Sequence, residues 1–221
     1  LLLTLKRNHT CKFLNDTKCI CEIAISIDIS FIAFSEVSLG CLRNNAYEGC
    51  ADCGDCRLRR ECMGFTQGVL RDYLDEGTER QNWMRTFVKF ERSLVGEETD
   101  QAMRLKIWNS VVFFNYLQVA MGGPREAGTS VQYRQAGEAF FEVLNKYQPE
   151  YVIVWGNRLW DKMPGEHWQN GDDIVVDGYH VATGWYVLSN GKRVKAMAVN
   201  HPSVGYSWDY WYRVTKEFLL Q

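Results

Sequence analysis

Cysteine is missing from Met63 to Gln221. All eight, at positions 11, 19, 21, 41, 50, 53, 56 and 62, fall in the first 62 residues of a 221-residue chain. That asymmetry argues against a disulfide framework spanning the chain and leaves a local metal site or reduced thiols. An excess of either charge is missing too. Lysine and arginine number 25 against 27 aspartates and glutamates, a formal net charge of -2. A polyanion such as DNA would therefore have to be held by a local basic patch, because the overall field offers no attraction. The third absence is a long, clean apolar run. The nearest approach, "CICEIAISIDISFIAFSEVSLGC", carries Glu22, Asp28 and Glu36, each costly in hydrocarbon, so no membrane span is expected. The opening "LLLTLKRNHTCKF" has no initiating methionine, and its apolar start is too short for a signal peptide. The expectations are a fragment or processed form and an intracellular setting, cytoplasmic or nuclear.

What is present is the composition of a folded domain: 46% hydrophobic, 14% aromatic and 24% charged residues. The length fits one α/β domain that buries most of the surface its unfolded chain exposes. Residues 1–45 read as an atypical, cysteine-rich segment that contains a candidate first strand, "ISIDISFIAFSE" (25–36), rich in β-branched and aromatic residues. Residues 46–221 read as the α/β domain proper. It opens with a turn-rich loop, "NNAYEGCADCGDC". "MGFTQGVLRDYLDEG" is expected as a helix closed by Gly77, and residues 81–95 place Trp83, Phe87, Phe90 and Leu94 at helical spacing.

Further on, "SVVFFNYLQV" is an unbroken apolar run, the pattern of a strand buried on both faces. "MGGPREAGTS" is a loop. "EAFFEVLNKYQPE" is amphipathic, with Phe140, Val143, Leu144 and Tyr147 on one stripe and Pro149 just past its end. "YVIVWG" is a second buried strand that runs into a short helix. "GWYVLSNGKRVKAMAV" reads as a hairpin about Asn190-Gly191, a type I′ signal, and Ser207 is placed to cap a final helix. Strands separated by helices imply a three-layer α/β/α sandwich. Its central, mostly parallel sheet would have about four strands plus a C-terminal hairpin strand.

Three strand ends carry chemistry: Asn115 after "VVFF", Gly156 after "YVIVW" and His201 after "KAMAV". In a parallel sheet the C-terminal ends of the strands share one edge, which is where open α/β sheets bind ligands. "FFNYLQVAMGGPREAGTS", "AFFEVLNKYQPEYVIVWGNRLW" and "AVNHPS", in that order over residues 105–220, resemble the uracil-DNA glycosylase superfamily. The resemblance implies a hydrolase that extrudes a damaged base, uracil, from DNA and cleaves its N-glycosidic bond. DNA would be the partner, a monomer the working unit, and no cofactor is required.

Under that resemblance Asn115 reads the base edge, since a carboxamide offers the donor and acceptor that match uracil N3–H and O4. His201 stabilises charge developing at O2 of the departing base. Phe65, in "ECMGFTQGVLRDYL", matches the ring that stacks on the base. Gly156 and Asn157 would offer amides to a phosphate. Pro202, Ser203, Val204 and Tyr206 match the loop that penetrates DNA. Each residue also has a plainer reading. Asn115 would satisfy loop backbone, His201 would hold a turn, and Gly156 would permit tight packing. Phe65 would join the core, and Tyr206 would pack inward.

The superfamily's first motif, a glycine followed by a water-positioning acid or amide, has no clean counterpart. "IAFSEVSLG" offers Ser35 in the glycine position and Glu36 as the water-orienting acid. The second cysteine pair of the iron–sulfur members is absent, so their cluster is not expected. Cys50, Cys53, Cys56 and Cys62 still have a spacing suited to structural zinc or a different cluster, with reduced thiols as the alternative. The different functional class is a catalytically silent relative that binds nucleic acid or a protein through the same crevice.

Overall fold

Runs of Val, Ile and Phe flanked by turn residues form the sheet, and segments with three-to-four-residue apolar spacing form the layers on it. The computed structural model describes residues 23–27, 59–117, 127–203 and 205–220. Strand β1 (Ile23–Ile27) is followed by helices α1 (Arg59–Leu74), α2 (Met84–Val95) and α3 (Gln101–Trp108), then β2 (Val111–Asn115). Helix α4 (Ser130–Tyr147), β3 (Tyr151–Trp155) and the short α5 (Asn157–Trp160) come next. Three brief strands, β4 (Trp168–Asn170), β5 (Ile174–Val176) and β6 (Tyr179–Val181), precede β7 (Thr183–Val187), β8 (Arg193–Val199) and α6 (Trp208–Leu220).

The main sheet has the order β2-β1-β3-β8-β7-β4. Its first four strands are parallel, and β7 and β4 each add antiparallel. This is the expected α/β/α sandwich: a four-stranded parallel sheet extended by a C-terminal hairpin. Strand β1, which belongs to residues 1–45, lies between β2 and β3. It overlaps the expected first strand at residues 25–27; residues 28–36 lie outside the described residues.

Alternation along each strand sorts side chains to two cores. Phe113, Ile153, Trp155, Met197 and Val199 face the layer of α1, α2, α3 and α6. Val112, Val154 and Ala198 face α4 and α5. On the first side Phe87, Phe90, Phe113 and Trp155 form one aromatic cluster, with ring centroids 4.7–5.9 Å apart. Burying each such side chain contributes about 1.5–3 kcal/mol.

One carboxylate ties three helices together in this layer. Glu91 of α2 is fully buried. It accepts from the Tyr73 hydroxyl (α1) and the Trp108 indole N–H (α3), both at 2.6 Å, and from Thr99 at 2.5 Å. Arg104 of α3 approaches it at 3.4 Å. Burial and the adjacent carboxylate hold the Tyr73 hydroxyl well above the usual phenol range, so it remains a donor.

Several local expectations change. The amphipathic helix starts earlier than expected, at a capping box in which Thr129 and Gln132 satisfy each other's backbone. It ends as predicted before Pro149, with Gln148 in the left-handed region. The β7–β8 hairpin forms, but not on a type I′ turn. Asn190 is not at positive φ, only Gly191 is. Leu188 and Lys192 close a longer loop in which Gly191 N–H bonds the Leu188 carbonyl. The two-residue turn with both residues at positive φ is Asp177-Gly178, joining β5 to β6. Ser207 directly precedes α6, and its hydroxyl donates to the Asp209 carboxylate. Among the described residues no helix is long and apolar enough to cross a membrane.

Candidate functional site

The parallel register sets the site's geometry. Ile27 of β1 lies opposite both Asn115 and Trp155, and Trp155 lies opposite Val199. The named ends of β2, β3 and β8 are therefore level on one edge. Asn115 and Val199 are three strand spacings apart, about 14 Å. Asn115 has the alternation parity of Phe113, and His201 follows Val199 by two residues. Asn115 thus lies on the α1 side of the edge, in contact with Thr66 of α1. His201 meets the edge of the Trp155 ring, with centroids 5.9 Å apart at 85°. The carboxamide and the imidazole stand on the same edge of the sheet.

Asn115 is half-buried. Its Nδ2 donates to Thr66 Oγ1 of α1 at 2.8 Å. Its Oδ1 is buried and has no hydrogen-bond partner among the described residues. A second amide hydrogen remains, so the group can present a donor and an acceptor together. Leaving an amide oxygen unpaired costs about 1–3 kcal/mol. A ligand N–H donated to this atom would recover that cost.

His201 is oriented from within its own loop. The Ser203 backbone N–H donates to Nδ1 at 3.3 Å, and the Ser203 hydroxyl lies 2.8 Å from the same nitrogen. A backbone N–H can only donate, so Nδ1 acts as the acceptor and the ring N–H is placed on Nε2. That nitrogen is shielded from solvent. The loop thus fixes the orientation of the ring.

Gly156 has φ +103, a backbone conformation that side chains other than glycine rarely adopt. An added Cβ would meet only His201 Cβ, at 3.7 Å. Its own N–H is donated to the Val199 carbonyl at 2.8 Å and so is not available to a phosphate. Asn157 donates through Nδ2 to Asn200 Oδ1 at 3.3 Å. Pro202 is buried, and Ser203 is turned to His201.

Tyr206 takes the inward reading, which corrects its assignment as a DNA-penetrating ring. It is 6% exposed, stacks on Trp211 at 5.8 Å and donates its hydroxyl to Ser93 Oγ at 2.6 Å. Burial raises the hydroxyl's pKa and keeps it a donor. A ring fixed this way does not wedge between bases.

Phe65 lies on α1 beside Thr66, the residue that holds Asn115. The Phe65 and Cys62 side chains lie outside the described ones. Glu36, Cys50, Cys53, Cys56 and Val204 lie outside the described residues altogether. Among the described residues no cluster of His, Cys, Asp or Glu could hold a metal ion. Sequence reasoning missed Thr66, Trp155 and Asn200, although each adjoins a residue it singled out. No protein-family model matches the sequence, and no curated protein matches it.

Proposed function

We propose that the protein is a uracil-DNA glycosylase-like hydrolase. It would extrude a damaged base, uracil, against the sheet edge and cleave the bond between the base nitrogen and C1′ of the sugar. The observation that supports this reading is that Asn115, level with the end of β8, and His201, two residues past that end, stand at one sheet edge with complementary chemistry. Asn115 offers a buried acceptor beside a remaining donor, which suits an N3–H next to a carbonyl oxygen. Cytosine, with an amino group in place of that oxygen, would set donor against donor. His201 offers its Nε2 proton to O2 of the base as the bonding electron pair moves onto the ring. A water molecule supplies the hydroxyl to C1′, and Glu36 is the proposed group that orients it. Phe65, one residue from the Thr66 buttress, is the proposed stacking ring.

The test incubates the protein with single- and double-stranded oligonucleotides containing uracil, then cleaves abasic sites with alkali. The expected result is strand breaks that fall by about 10²–10³-fold in His201→Ala and to a similar extent in Asn115→Ala. Binding without breaks by the unaltered protein would replace this reading with that of a silent nucleic-acid-binding relative.

A further inference from the structure

A cleft of about 640 Å³ opens beside the β8 end, lined from both layers of the sandwich, within the size range of small-molecule sites. Aromatic rings form its walls: Trp160 of α5, Tyr179 of β6, and Tyr210 and Trp211 of α6. Two carboxamides, Asn157 and Asn200, also line it. Their mutual bond uses one Asn157 donor and one Asn200 lone pair. An acceptor on Asn157 and both donors on Asn200 remain side by side. That is the complement of the amide-like edge every nucleobase carries.

The charge pattern narrows the occupant. Among the described residues the lining has no lysine, arginine, aspartate or glutamate, and its one histidine, His180, is held by Asp173 at 3.2 Å. Nearby, Arg213 is bound by two hydrogen bonds, at 2.6 and 2.7 Å, to Asp177. Asp177 and Asp209 are both held below the usual carboxylate range, chiefly by the Arg213 guanidinium and the Ser207 hydroxyl respectively. Ionised carboxylates beside the cleft disfavour a phosphate inside it, so the fitting guest is a neutral planar ring whose linked phosphates stay outside the lining. Tyr179 is 69% exposed, and its ring meets Tyr210 edge to face at 6.3 Å. An aromatic side chain held that far into water is placed for stacking. The Arg213–Asp177 pair anchors the turn that carries it.

We propose that this cleft receives an unpaired nucleobase of a single nucleic-acid strand, the neighbour of the base extruded at Asn115 and His201. The strand's path rests on the glycosylase-like reading; the cleft's chemistry does not. Asn200 and His201 are consecutive residues with side chains on opposite sides of the strand end, so the two base sites adjoin. A paired base cannot enter, because its edge and faces are already occupied in the duplex.

Fluorescence anisotropy of a labelled oligothymidylate, which contains no uracil, tests the cleft with the full chain. Tyr179→Ala should weaken binding by about tenfold, the loss of roughly one stacking contact, and Tyr179→Phe should leave it unchanged. Equal affinity of Tyr179→Ala and the unaltered protein overturns the proposal, as does failure of the unaltered protein to bind. Displacement of the strand by free thymidine at comparable concentration also overturns it, by making this a nucleoside site. Uracil release, assayed in parallel, judges the glycosylase-like reading separately. A strand that binds through Tyr179 without base release sustains the cleft and ends that reading.

Discussion

Replacing Glu91 with alanine should cost about 3–5 kcal/mol of folding stability. The carboxylate is fully buried and is the acceptor for Tyr73 and Trp108, each at 2.6 Å. Removing it strands two buried donors, at about 1–3 kcal/mol each. It also leaves the Arg104 guanidinium, 11% exposed, without its counter-charge, and breaking a buried pair from one side costs about 3–5 kcal/mol. The two estimates describe the same vacancy and are not added. Glu91→Gln keeps an acceptor for both donors but still leaves Arg104 without its counter-charge, so it should cost less than alanine, toward the lower end of that range, about 3 kcal/mol. Urea unfolding followed by tryptophan fluorescence reads both, against a total stability on the order of 5–15 kcal/mol. Because Tyr73 shares α1 with Thr66, the alanine variant should also loosen the Asn115 buttress and lower base release under conditions where it remains folded. An alanine variant within about 1 kcal/mol of the unaltered protein would refute the role given to this carboxylate.

Gly156→Ala forces alanine to φ +103 and should lower stability by about 1–3 kcal/mol through backbone strain alone, read as a shift in thermal midpoint. Tyr206→Phe removes the bond to Ser93 and should destabilise by about 1 kcal/mol in thermal unfolding, a cost that a solvent-facing, base-wedging ring would not show. Asp177 is held below its usual pKa by Arg213. Its contribution is therefore complete above the unfolded carboxylate's pKa and is lost as pH falls below about 4. Protection factors for amide exchange in β5–β6 should fall over that range while those of β3 and β8 are retained.

Three strands of the parallel sheet, β2, β3 and β8, were legible because they are buried on both faces and read as continuous apolar runs. "VVFF", "YVIVW" and the second half of "KRVKAMAV" needed no partner to be recognised, and their ends located the edge. Helix α3 was not legible. Of its eight residues only Ile107 and Trp108 are fully buried, and its clearest signal is Asp100, whose side chain accepts the Met103 N–H. The strands β4, β5 and β6 have three residues each, too few for a period to show. The "DG" at Asp177-Gly178 nevertheless carried a hairpin signal as strong as "NG" at Asn190-Gly191. The two turns differ because β5 and β6 pair right up to Val176 and Tyr179, whereas the β7–β8 ladder stops at Val187 and Arg193. Tyr206 shows the limit for single residues. Nothing local distinguishes a ring that enters DNA from one that reaches Ser93, 113 positions earlier.

The place of β1 has a consequence for biosynthesis. Its neighbours on either side, β2 and β3, are both made later, with Ile23 aligned to Val111 and Tyr151. Roughly 130 residues separate Ile23 from its second partner, about 6–25 s at ordinary translation rates. Throughout that interval "IAISI" leaves the ribosome as an apolar segment with two open hydrogen-bonding edges, and the nascent chain must be shielded from its neighbours until β3 emerges.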